Sequence, residues 1–275
     1  SGVIQLNIVI GTIIASFLPV GAISHIYYAD RLNQLPLAIF GIALGIVLLP
    51  SLSKAIKQSD QETTNNIQNR SIEFSLLISL PSAIGLFILA EPIIHILFER
   101  GAFVAEDTLY TAKVLSYFAL GLPAYIIIKV LVSCFFARED TKTPLYISIV
   151  SVITNVVLSL LLIGSMREMG IALATAISAW INALLLYVFL YTRNLIQFDD
   201  ILVKNSFKIF INSTILFVAI YVLNGALFNN IIENSVLVNS GLLLLMIFLA
   251  IIIYFALVIV LKVLTINQLR EYLKK

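Results

Sequence analysis

An all-α, polytopic membrane protein of about eight transmembrane helices is the fold class this sequence predicts. Three observations carry that reading. Hydrophobic residues make up 60% of the 275 residues and charged residues only 12%, about half the share of a soluble domain. Mean hydropathy is +1.05. The apolar residues also fall in long runs, and roughly 20 of them cross a bilayer as a helix. Backbone groups in lipid must be satisfied within their own segment, so these runs read as helices.

The runs can be taken in order. The first, 3–19, ends at the hinge LPVG. The second, 23–50, holds Pro36, Gly41, Gly45 and Pro50. A proline inside a helix removes a hydrogen bond and bends it. Broken helices in membranes line cavities or pack on neighbours. The polar gap KAIKQSDQETTNNIQNR leads to 71–90, with Pro81 and Gly85. EPIIHILFERGAFVAED mixes apolar and charged residues and reads as a short amphipathic element at the outer interface, or as a re-entrant loop. Span 108–137 carries Gly121 and Pro123. AREDTKT, SMREMG, TRNLIQFDDILVKN and NGALFNNIIENSVLVN then separate 143–164, 168–192, 206–225 and 238–262. Helices this often interrupted by Gly and Pro suggest a transporter more than an anchor. The chain has no initiator Met and no signal-peptide pattern, so it is expected to be a portion of a longer protein.

Charge excludes some functions and orients the chain. The net charge of +2 gives no reason to expect nucleic acid. Twelve of the 17 basic residues fall in gaps or the tail on one side of the membrane, against Arg100, Lys113 and Arg167 on the other. Positive charge marks the cytoplasmic side, so both chain ends are expected there. Cys134 is the only cysteine and lies in an apolar run, which predicts a buried, inert thiol. His25 and His95 have no local spacing of a metal site or triad. The pair Asp199–Asp200 reads as a solvated loop, and no cofactor is expected.

Arg31 and Lys129 are the two basic residues inside spans. An arginine in hydrocarbon costs on the order of 3 kcal/mol or more, which makes it a functional candidate. Its fork suits phosphate. Helical spacing puts Tyr27, Arg31 and Gln34 on one face, with Asp30 about 100° away. The alternative for Arg31 is snorkelling or a salt bridge. Lys129 is either a second cavity charge, a partner of Asp30, or part of a structural ion pair. Glu73 sits where it could snorkel, and Asn155 with Ser159 could cross-link helices.

The stretches YYADRLNQLPLAIFGIALGIVLLPSLSK and IKVLVSCFFAREDTKTP resemble signatures of the MurJ (MviN) family of lipid II flippases. QLNIVIGTIIASFLPVGAIS is similar to the start of that family's second half. The resemblance is close over residues 1–194. It implies half of a two-lobed exporter-superfamily (MOP/MATE-like) fold, with 1–194 as the second six-helix lobe. It also implies that 195–275 adds two transmembrane helices and a basic cytoplasmic tail. The implied activity is translocation of lipid II across the bacterial inner membrane by alternating access, without bond chemistry. Arg31 matches a required cavity arginine and Asp30 its acidic neighbour. The final helices, about 206–225 and 238–262, would form a groove for the long lipid tail. Asn155 and Thr175 match part of a sodium site found in some members, with Gly11 and Ser159 standing where its carboxylates would be. The implied partners are lipid II, membrane lipids and a first lobe on a separate or upstream chain. A related exporter of another lipid-linked glycan or drug, or a non-transporting scaffold or remnant, would have the same fold.

Overall fold

The computed structural model describes residues 2–227 and 236–263. Among them are ten helices: α1 (Gly2–Ala15), α2 (Ala22–Lys57), α3 (Gln61–Ile88), α4 (Ala90–Phe98), α5 (Ala105–Ala119), α6 (Leu122–Phe136), α7 (Lys142–Met166), α8 (Glu168–Thr192), α9 (Asp200–Leu227) and α10 (Val236–Val260). The basic tail read from the sequence lies outside the described residues.

Six segments of the described residues are long and apolar enough to cross a membrane, with α5 and α6 together forming one. Among the described residues these account for six of the eight crossings read from the sequence. The polar gap after α2 is mostly helix. It lacks Gly and Pro, so α2 runs on to Lys57 and α3 restarts at Gln61. Asp60 caps the new helix by accepting from the Thr63 backbone N–H at 2.9 Å.

The single run at 108–137 is two helices that meet at Leu120–Gly121. A Cβ on Gly121 would lie 3.0 Å from the Ala176 Cα on α8, so only glycine allows this approach. Gly170 does the same between α7 and α8, where a Cβ would stand 2.8 Å from the Leu162 carbonyl oxygen. That contact lets the two helices leave the tight corner at Arg167 side by side.

The core has several centres. Leu52, Leu131, Phe135, Leu186 and Leu190 join α2, α6 and α8. Ala29, Ile94, Leu115, Phe118 and Ala172 join α2, α4, α5 and α8. A third cluster, with Leu77, Ile209, Leu216, Met246 and Val258, attaches α9 and α10 to α3. Cys134 is fully buried in the first.

Two sequence expectations change. Glu73 does not snorkel: it is buried, accepts from Asn205 Nδ2 at 2.5 Å and pairs with Arg70. Asp199 is not a free loop carboxylate. It pairs with Arg70 at 2.7 Å and caps α9 through the Leu202 N–H at 2.6 Å. Asn205 lies 132 residues from Glu73 and Arg70 lies 129 from Asp199, so these two contacts could not be read from local spacing.

Candidate functional site: a polar cavity on α2

Asp30, Arg31 and Gln34 all line one cavity of about 310 Å³. Gly11 and Thr12 of α1, Asn155 and Ser159 of α7 and Thr175 of α8 complete its polar wall. Ile10, Ile14, Ile26 and Ile171 supply much of the apolar remainder. The 100° between Asp30 and Arg31 does not separate them, because the opening between α1 and α7 spans more than one stripe of α2. Ala29, fully buried, anchors the opposite face.

Within the cavity Asp30 accepts a hydrogen bond from Gln34 Nε2, one turn on. The Arg31 guanidinium sits 4.7 Å from the centre of the Tyr27 ring, one turn back. A ring face holds a cation without neutralising it. Asn155 Nδ2 donates to Thr175 Oγ1 at 3.4 Å and so crosses from α7 to α8. Ser159 Oγ donates to Asn155 Oδ1 at 3.0 Å. Lys129 is elsewhere, on the exposed face of α6 and outside the lining of this cavity.

The cation chemistry of this wall is limited. Asn155, Ser159 and Thr175 supply neutral oxygens, whereas hard cations are held by carboxylates together with carbonyls and waters. Gly11 has open space where a side chain could stand. Asp30 is the one carboxylate in the lining, and it already accepts from Gln34. No group of three His, Cys, Asp or Glu able to hold a metal occurs among the described residues.

A second, apolar cavity of about 430 Å³ lies between α2, α3, α4, α9 and α10. Pro36, Pro81, Gly85, Leu216, Ile251 and Tyr254 are on its walls. The two prolines lie inside α2 and α3, and Gly85 carries no side chain.

Sequence reasoning missed one ionisable cluster. His25 lies buried between Asp107 of α5 and Glu168 of α8, at 3.0 and 3.1 Å. The partners are 82 and 143 residues away, so no local motif announces them.

The chain was then compared with known proteins. The family model described as "Lipid II flippase MurJ" matches residues 1–247. The chain belongs to the MurJ lipid II flippase family. A relative from Rhizobium tropici, named "Probable lipid II flippase MurJ", is 40% identical over all of this chain and 51% of its own length. One of the same name from Rickettsia prowazekii (strain Madrid E) is 49% identical over 68% of this chain and 37% of its own length. The chain thus spans about half the length, or less, of the curated MurJ relatives it matches. A solved structure, "Lipid II flippase MurJ, inward closed conformation", aligns with a TM-score of 0.78 at 30% identity, over 93% of this chain and 50% of that one. "Crystal structure of MATE in the bent conformation" aligns at 0.61 with 14% identity, which shows a shared exporter fold. This is a multi-pass membrane protein with half of a MurJ-like, MOP/MATE-type architecture.

Proposed function

We propose that residues 1–194 form the second lobe of a lipid II flippase, and that 195–275 add two helices and a tail to it. The observation that carries the reading is the cavity on α2, which Arg31 lines together with Asp30 and Gln34. Arg31 contacts the pyrophosphate of the lipid-linked precursor. Asp30 and Gln34 hold the adjacent wall and limit how the anion sits. A first lobe, on a separate or upstream chain, closes the cavity from the other side. Rocking of one lobe against the other then exposes the site alternately to each face of the membrane. No bond is made or broken, so the activity is transport rather than catalysis.

The apolar groove between α9, α10 and α3 suits the long lipid tail, because its lining is apolar along nearly its whole length. The basic gaps support a reading with both chain ends in the cytoplasm, and membership of the MurJ family supports the bacterial inner membrane as its location. Asn155 and Thr175 serve as polar wall. Their neutral oxygens favour, at best, weak sodium binding. Lys129, outside the cavity, has no substrate role in this scheme.

A charge-assisted phosphate contact contributes about 1.5–3 kcal/mol, so Arg31→Ala in the complete flippase should weaken lipid II binding about 10- to 100-fold. The same variant should fail to rescue growth of a flippase-depleted strain while reaching the membrane in normal amount. Normal rescue would refute the assignment of Arg31.

A further inference from the structure

The proposed transport cavity leaves unused the cluster around His25. This residue is 6% exposed in the first turn of α2. Its Nδ1 lies 3.1 Å from Glu168 Oε1 and its Nε2 3.0 Å from Asp107 Oδ1. Both ring nitrogens therefore face carboxylate oxygens. A neutral imidazole has one N–H and one bare lone pair, and an ionised carboxylate only accepts. With both carboxylates ionised, one of the two gaps would set lone pair against lone pair. Both become hydrogen bonds only when the three groups hold one further proton, as imidazolium or as a carboxylic acid.

Other charged and aromatic groups stand close to the three. Glu168 is fully buried, where unbalanced charge is costly. Arg167, at the α7–α8 corner, approaches its second oxygen at 3.6 Å. Tyr110 of α5 stacks on the imidazole with centroids 5.6 Å apart, and Arg167 lies 5.1 Å from that same Tyr110 ring. With the proton, imidazolium and guanidinium balance two carboxylates. Without it the cluster carries a net negative charge. Asp107, with its side chain 29% exposed, opens onto a recess of about 530 Å³ lined also by Ser24, Tyr28 and Arg100. Gly21, at φ 103°, begins α2 under the ring. A Cβ there would stand 3.4 Å from Cε1 and Nε2.

We propose that His25, Asp107 and Glu168 form a proton-binding site, loaded through the recess at Asp107, whose proton ties α2 to α5 and α8. Release of the proton turns one hydrogen bond into repulsion at the start of the helix that carries Asp30 and Arg31, five and six residues further on. The proposal concerns the proton alone and stands apart from the choice of lipid substrate.

The test uses the complete protein, labelled with ¹⁵N-histidine, in nanodiscs. Histidine-ring NMR and infrared carboxyl spectra are recorded from about pH 5 to 9, the range in which histidines commonly change charge. His25 is assigned by difference against His25→Gln. The expected result at the acidic end is two protonated ring nitrogens on His25, or a protonated-carboxyl band removed by Glu168→Gln or Asp107→Asn. A single neutral tautomer with no such band over the whole range would overturn the site. Where His25→Gln folds poorly, His25→Asn supplies the same assignment, and the ring-nitrogen signals of the wild type then decide. Spin labels on the exposed residues Ile23 and Leu109 should move apart as the proton leaves. An unchanged distance would overturn the claim that the proton ties the helices.

Discussion

Glu73 illustrates what a single buried charge demands. Its carboxylate is held by Arg70 and by Asn205, and Arg70 reaches on to Asp199. Leaving a buried charged group short of one partner costs about 1–3 kcal/mol or more. Asn205→Leu should therefore lower the melting temperature in detergent, and Glu73→Gln combined with it should recover part of the loss. Asp140, in the turn between α6 and α7, has a different role. The Thr143 backbone N–H at 2.9 Å, then the Thr143 hydroxyl at 2.7 Å and Arg193 at 2.9 Å, hold its carboxyl below the usual carboxylate range. The unfolded chain takes up this proton more readily, so the stabilisation is present above the unfolded value of about 3.9 and is lost as pH falls through the lower folded one. Wild type should exceed Asp140→Asn in melting temperature near neutrality, and the gap should close in strong acid. Arg31 was legible at this scale because intramembrane charge is expensive wherever it occurs. His25 was not, because its neighbours arrive from two other helices.

At the scale of helices, glycine positions divide by what stands opposite them. Gly170 faces the Leu162 backbone at 2.8 Å, whereas Gly164, near the end of α7, has open space around it. Gly170→Val must push α7 and α8 apart and should cost several °C in a thermal melt. Gly164→Ala meets nothing and replaces a poor helix former, a gain of up to about 1 kcal/mol. It should leave the melt unchanged or raise it. Sequence alone marks both residues as helix-weakening in the same way. The long polar gap after α2 shows the converse error, since polarity there reflects solvent and not loss of helix. Asp60, a cap with its carboxyl below the usual range, marks the true boundary.

Over the whole molecule, one contact that attaches α9 and α10 to the lobe is a consequence of Pro81. Proline has no N–H, so the Leu77 carbonyl one turn earlier lacks its helical partner. The Tyr254 hydroxyl of α10 donates to that carbonyl at 2.6 Å. Asn212 of α9 donates to the Tyr254 carbonyl at 3.2 Å and ties the last two helices together. The linker before α9 is held by Asn69 to the Gln197 carbonyl at 2.9 Å and by Arg138 to the Leu195 carbonyl at 3.0 Å. Tyr254→Phe should cost about 1–3 kcal/mol by leaving that carbonyl unsatisfied. Hydrogen exchange should then speed up in α3, α9 and α10 while α5–α8 stay as they were. Uniform acceleration across all helices would count against this local attachment.

What the sequence determined by itself was the solvent and the elements: apolar length, Gly and Pro punctuation and the charge asymmetry specify a polytopic helical protein, and the cost of intramembrane charge marks Arg31 and Lys129. These are local properties, set by hydrogen-bond satisfaction and transfer free energy along one chain segment. The tertiary structure decided which polar groups meet. It brought Asn155, Ser159 and Thr175 to the wall beside Asp30, left Lys129 on the outside, and closed two carboxylates on His25. Those pairings depend on helices distant in sequence packing through glycines and on buried charges finding partners, and neither is periodic.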